Sequence, residues 1–225
     1  MCIRDRPPAA RCTDATRQAR IDALVARLAA GLPGPPRYHF RVLVVRDDVV
    51  NAMAAPGGFI IVFRGLLDRT DTPEELAGVL AHEVAHVTQR HVTRMIVQHA
   101  STGLLVAALT GDVTGVMAYG LQAARTLGSL QYGRLAEEEA DREGLRLLLS
   151  AGIDPAGMIR FFEKMEDKGG QWPAALKYLS SHPGLPERVA RLRALAAEWQ
   201  TGAPVRRLDG GDWVDVRRIC PAPTR

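Results

Sequence analysis

The segment Thr72-Pro73-Glu74-Glu75-Leu76-Ala77-Gly78-Val79-Leu80-Ala81-His82-Glu83-Val84-Ala85-His86-Val87 decides how this chain is read. It opens with a strong helix start. Thr72 can cap, Pro73 suits the first helical position, and Glu75 completes a capping box. Leu76, Val79, Leu80, Val84 and Val87 recur on one face, which predicts a half-buried helix from Asp71 to about His99. His82 and His86 are spaced i, i+4 and so lie one above the other. Two imidazoles placed that way can reach one zinc ion at about 2.0–2.1 Å each. Glu83 falls beside them, where it can take a proton from a water that zinc acidifies and pass it to a leaving amine. The rival reading is a solvated helix with two surface histidines. The apolar flanks oppose it, because a polar His-Glu-His set on a half-buried helix needs partners.

A third ligand is required to leave one position open. The acidic run Glu137-Glu138-Glu139-Ala140-Asp141 lies on a second predicted helix. Glu137 and Asp141 are themselves i, i+4, so one can ligate while the other holds a ligand imidazole. Spacing does not choose between them. His91, five residues beyond His86, falls on a different helical face and reads as structural, as does His99. His182, in Ser181-His182-Pro183, reads by position as an exposed loop histidine.

Elsewhere the pattern predicts a helix over 14–31, strands at Tyr38–Val45, Val49–Ala54 and Phe59–Phe63, and a turn at Pro56-Gly57-Gly58. A long helix is expected from about Leu121 to Ala151. Another follows Asp154 to Met165, and a last one runs from Pro186 to Trp199. The stretch 103–123 is apolar but broken by Asp112 between Gly111 and Gly115, and reads as two short helices, apposed to a membrane or covering substrate, rather than a span. Three parts are expected: residues 1–37 as an N-terminal helix and linker, 38–200 as the main domain, and 201–225 as a loose tail. The opening residues Met1 to Arg6 read as a start whose natural beginning, with any signal, lies upstream.

The chain has 225 residues, 47% of them hydrophobic, and a net charge of +4. That length can bury a core without staples. Only three basic residues are lysines (Lys164, Lys168 and Lys177), and the arginines are scattered without aromatic interleaving. Nucleic acid is therefore excluded as the expected partner. Cys2, Cys12 and Cys220 have no zinc-knuckle spacing; a terminal pair can bridge in an oxidising compartment, and unpaired thiols are an equal reading of the sequence.

Four motifs, in order, resemble the zinc metallopeptidases of family M48, which groups the CAAX prenyl endopeptidases with HtpX-, OMA- and BepA-like proteins. They are Asn51 to Gly58, His82 to Val87 with Arg90-His91, Tyr132-Gly133-Arg134 with Glu137, Glu139, Ala140 and Asp141, and Ser181-His182-Pro183 with Arg188. The likeness covers about residues 38–198. Gly133 departs from it, standing where the family has Ser. The resemblance implies an α+β, mostly helical zincin-type domain with a small antiparallel sheet before the active helix. It implies one zinc per chain on His82, His86 and Glu137, with Asp141 behind a ligand. Glu83 is the implied base, His182 an active-site residue and Arg188 its partner. The expected activity is metalloendopeptidase hydrolysis of protein substrates in the bacterial cell envelope, periplasmic or membrane-associated, in protein quality control. Substrate is expected to pair with strand Phe59–Phe63, through Gly58, Phe59, Ile60 and Ile61. Two rivals are a chaperone-like or self-inhibited zinc module closed by His182, and a zinc amidase acting on cell-wall peptides.

Overall fold

The computed structural model describes residues 11–35, 37–98, 101, 132–168, 178, 180–199, 207–208 and 213–220. The apolar stretch 103–123 therefore lies outside the described residues. Among those described, no helix is long and apolar enough to cross a membrane.

Helix α1 spans Ala15–Ala30, with Asp14 accepting a 3.0 Å bond from the Arg17 amide as its cap. A three-stranded sheet follows: β1 (Arg41–Val45), β2 (Ala52–Ala55) and β3 (Phe59–Phe63). The sheet is mixed rather than antiparallel. Its order is β1-β3-β2, with β1 parallel and β2 antiparallel to β3. The short turn at Pro56-Gly57-Gly58 makes the β2–β3 hairpin, whereas β1 reaches the far side of β3 through residues 46–51. The segment Phe59–Phe63 is thus the central strand, with both backbone edges already paired. The expectation that Gly58, Phe59, Ile60 and Ile61 offer a free edge to substrate is corrected accordingly. The outer side of β1 is partly covered by Arg11 and Cys12, whose amide bonds Val44 O at 3.0 Å. Among the described residues, the open edge belongs to β2.

A short helix α2 (Arg64–Leu67) leads to α3 (Pro73–Thr88). Thr72 Oγ1 accepts from the Glu75 amide, and Glu75 Oε2 accepts from the Asp71 amide at 2.8 Å, a cap worth about 0.5–2 kcal/mol. Every residue from Pro73 to Val87 is buried, so α3 is a central core helix rather than the half-buried one its pattern suggests. It packs against α1, the sheet, α4 (Arg134–Ser150) and α5 (Ala156–Lys168). Close approach depends on glycine. A Cβ on Gly78 would stand 2.5 Å from Met158 Cα of α5, and one on Gly144 of α4 would stand 3.2 Å from the His82 amide. Helix α6 (Leu185–Trp199) closes the other side of α4 and α5.

Four further expectations are corrected. The helix through His86 stops at Thr88. Gln89 caps it, Arg90 takes a left-handed φ of 57°, and a new helical segment runs over 91–98. Of the helix expected from about Leu121, residues 121–131 lie outside the described residues; Tyr132 and Gly133 are not helical, and α4 runs from Arg134. Residues 213–220 are not loose. Helix α7 (Trp213–Val216) buries Trp213, whose Nε1 donates to Thr70 O at 3.1 Å, because an indole of that size gains far more inside the core than in water. Nor is the N-terminal helix a separate appendage, since Ile21, Val25 and Leu28 belong to the same hydrophobic cluster as α3.

Cys12 and Cys220 form a disulfide across 208 residues of sequence. A crosslink of such span restricts the unfolded chain by about 2–4 kcal/mol. Reduction, or Cys12→Ser, is expected to lower the thermal midpoint by about 4–16 °C, at about 2–4 °C per kcal/mol for a chain this size. Calorimetry with and without reductant checks this.

Candidate metal centre

Helices α3 and α4 and the loop before α6 deliver seven side chains to one buried place. His82, Glu83 and His86 come from α3, the two histidines from successive turns, and Glu137 and Asp141 from successive turns of α4. His182 and Arg188 come from the loop and the start of α6. His82, Glu83, His86, Glu137 and His182 are all 0% exposed. His182 is therefore no exposed loop histidine: the loop folds inward, and Tyr178 and Tyr132 pack on its ring at 4.7 and 5.6 Å between centroids.

His82, His86, Glu137 and His182 each offer one donor atom, all within 4.8 Å of one another. His82 Nε2 lies 3.0 Å from His86 Nε2 and 3.3 Å from His182 Nδ1. Glu137 carboxylate oxygens stand 3.5, 3.4 and 3.2 Å from the three imidazole nitrogens in turn. Donors held tetrahedrally at about 2.0–2.2 Å from one ion are about 3.3–3.6 Å apart, so the spacing fits a metal such as zinc.

Proton accounting supports the fit. His82 Nδ1 faces Asp141 Oδ1 at 3.0 Å. With its proton there, neutral His82 turns a bare lone pair toward the cluster. His86 Nε2 faces it at 3.0 Å, a gap that either a proton or a bound cation would bridge. Charge accounting agrees. Three buried carboxylates, Glu83, Glu137 and Asp141, meet one guanidinium, Arg188, and a divalent ion would offset the negative charge of those that are ionised. The chain's own groups show the deficit. Burial pushes the His82 ring down, but hydrogen bonds with Asp141 and Glu137 overcome this and raise it to about 9. His86 is driven well below the ordinary histidine value by burial and by His82.

The carboxylates divide into distinct environments. Glu83 is pushed up by burial, with His182 and His82 opposing, and neither of its oxygens makes a well-formed hydrogen bond. The backbone of Ala54 in β2 lies close enough to stabilise its charge. Glu137, though burial opposes its ionisation, is held well below the carboxylate range by His182 and His82. Asp141 is likewise buried but lowered by Arg188, which grips both of its oxygens at 2.7 Å. The same guanidinium reaches Glu137 Oε2 at 2.6 Å and His182 O at 3.3 Å, and lies over the Phe162 ring at 5.0 Å. One arginine thus ties α4 to the loop bearing His182.

Sequence reasoning missed two contributors. His91, assigned to another face, has its Nδ1 2.8 Å from His86 Nδ1. Tyr132 stacks on the His86 ring, with centroids 3.8 Å apart and planes at 20°. The turn at Arg90 explains the first. The second had a weak signal, an aromatic residue just before the acidic helix. His99 lies outside the described residues.

Residues 15–196 match the profile of peptidase family M48. The chain is 35% identical over 189 residues to the mitochondrial metalloendopeptidase OMA1 of Schizosaccharomyces pombe, covering 83% of this chain and 54% of that protein. It is 32% identical over 167 residues to the beta-barrel assembly-enhancing protease of Escherichia coli, covering 69% of this chain and 34% of that one. The metalloprotease LoiP of Escherichia coli is 31% identical over 180 residues, covering 77% and 68%. The chain thus spans about a third to a half of the first two relatives' lengths.

Proposed function

This chain belongs to peptidase family M48, and from that premise we propose that it is a zinc-dependent endopeptidase acting on protein substrates. The observation that carries the reading is the convergence of His82, His86, Glu137 and His182 beside the buried carboxylate of Glu83, whose Oε1 is 3.6 Å from His182 Nε2. His82, His86 and Glu137 would hold the ion. Asp141, gripped by Arg188, would fix the His82 ring by accepting from its Nδ1. A bound zinc ion would supply Lewis acidity toward water and the scissile carbonyl.

The remaining steps fall to the chain's own residues. Substrate would add as a further strand to the open edge of β2. That edge borders a cavity of about 270 Å³ between Ala54–Gly57 and Val87 and Arg90, with His86 in its wall. Glu83 would take a proton from the attacking water and return it to the leaving amine. Burial raises its pKa, which strengthens it as a proton acceptor.

His182 supports a second, compatible reading. Its Nδ1 sits where a fourth donor belongs, so the resting site would be closed until this loop moves. A cell-envelope setting is proposed as well: the Cys12–Cys220 bridge suits an oxidising compartment, and one relative is named for beta-barrel assembly. Zinc per chain by atomic emission, with casein cleavage by wild type and His182→Ala, tests the whole. The expected result is one zinc in each protein and cleavage about tenfold or more faster in His182→Ala. A zinc-free wild type would overturn the metal reading, and slower cleavage in His182→Ala would overturn the closed resting state.

A further inference from the structure

We propose that His91 and Glu139 are positioning residues for the metal centre, forming a relay that fixes the proton and ring orientation of His86. The inference rests on the reading of His86 as a ligand and deepens it.

Each link follows from the one before. His86 Nε2 faces the donor cluster, 3.0 Å from His82 Nε2 and 3.4 Å from Glu137 Oε1. A ligating imidazole presents a lone pair there, so its one proton sits on Nδ1. That Nδ1 is 2.8 Å from His91 Nδ1. Two ring nitrogens so close share one proton, and since His86 supplies it, His91 Nδ1 must accept. The proton of His91 is then on Nε2, which lies 3.1 Å from Glu139 Oε2. The chain runs from carboxylate to imidazole to ligand, parallel to the direct Asp141–His82 contact at 3.0 Å. Both α3 histidines are thereby oriented from α4, one directly and one through an inserted ring.

The backbone is shaped for this insertion. Five residues along a continuous helix is a rotation of about 140° beyond a full turn, which would carry His91 away from His86. Arg90 interrupts the helix with φ 57°, a conformation that residues other than glycine seldom adopt. Such outliers cluster at functional sites. His91 is then only 5% exposed, so water does not replace its contact with His86. Tyr132, stacked on the His86 face, fixes the tilt that the relay leaves free. The only other charged group within reach of Glu139 Oε2 among the described residues is Arg94, at 3.8 Å.

The test is Zn2+ affinity of the full chain by competition with a chromophoric chelator, for wild type, His91→Ala, His91→Gln and Glu139→Ala. Partners behind metal-bound histidines typically govern affinity by about 10- to 100-fold. His91→Ala is expected to weaken Zn2+ binding by about that factor and Glu139→Ala by about 10-fold. The Co2+ absorption spectrum should shift in both. His91→Gln can accept from His86 and donate to Glu139, so it should recover most of the affinity. Glu139 is one-third exposed, at 34%, so its loss tests the relay without opening the core. Affinities within twofold of wild type in both alanine variants, with unchanged Co2+ spectra, would overturn the relay, as would a glutamine variant no better than alanine. A wild type that binds no zinc would instead remove the ligand reading itself, and the relay with it.

Discussion

Glu83→Gln is expected to keep zinc and lose about 10²- to 10⁴-fold in peptide hydrolysis. The size follows from what general-base catalysis contributes when one carboxylate handles the proton at both ends of the reaction. The substitution is nearly isosteric, so the α3 backbone and the rings of His82 and His86 have no reason to move. The amide cannot accept the proton. A second consequence separates this account from simple damage. Glu83 is fully buried and neither oxygen makes a well-formed hydrogen bond, so its charge opposes folding in the metal-free chain. Metal-free Glu83→Gln should therefore be no less stable than wild type. The measurements are zinc stoichiometry, initial rates of casein cleavage, and thermal midpoints of both proteins. Cleavage within threefold of wild type would rule Glu83 out as the base.

The active helix could be read from sequence because its signals are local. Thr72 and Glu75 mark the start, and His82 and His86 share a face by helical spacing alone. What the sequence could not resolve depended on contacts distant along the chain. Glu137 and Asp141 occupy the same face of α4, and only the placement of α4 against α3, with Gly144 near the His82 amide, sends one to the cluster and the other to Nδ1. His91 escaped because a single left-handed residue undid the helical count. Phe59–Phe63 was expected to offer a free edge, but it is the most apolar strand, and the most apolar strand in a small sheet belongs at its centre, paired on both sides. Trp213 and Cys220 looked like tail because their partners, Thr70 and Cys12, lie about 140 and 208 residues away.

Arg188→Met should cost about 3–5 kcal/mol of stability in the metal-free protein, the range for removing one partner from a buried ion pair. The guanidinium is 3% exposed and Glu137 0%, so water cannot replace the lost bonds. Two carboxylates would lose their guanidinium partner, Asp141 at both oxygens and Glu137 at one, and would keep histidine contacts alone. The His182 carbonyl would lose a donor too, loosening the loop that carries the fourth donor atom. Methionine fills much of the stem volume against Phe162, so the loss reports charge and hydrogen bonding more than a cavity. Zinc should reduce the deficit, because a divalent ion beside Glu137 compensates one of the two carboxylate charges. Urea midpoints of wild type and Arg188→Met, each with and without zinc, measure this. The metal-free difference should exceed the zinc-loaded one by about 1 kcal/mol or more. Adding Asp141→Asn to Arg188→Met removes the second carboxylate charge and should restore part of the loss, with a coupling of about 0.5–3 kcal/mol. If Arg188→Met cost less than about 1 kcal/mol without metal, the triad would have to be solvated, and burial could not be what holds Glu137 and Asp141 in place.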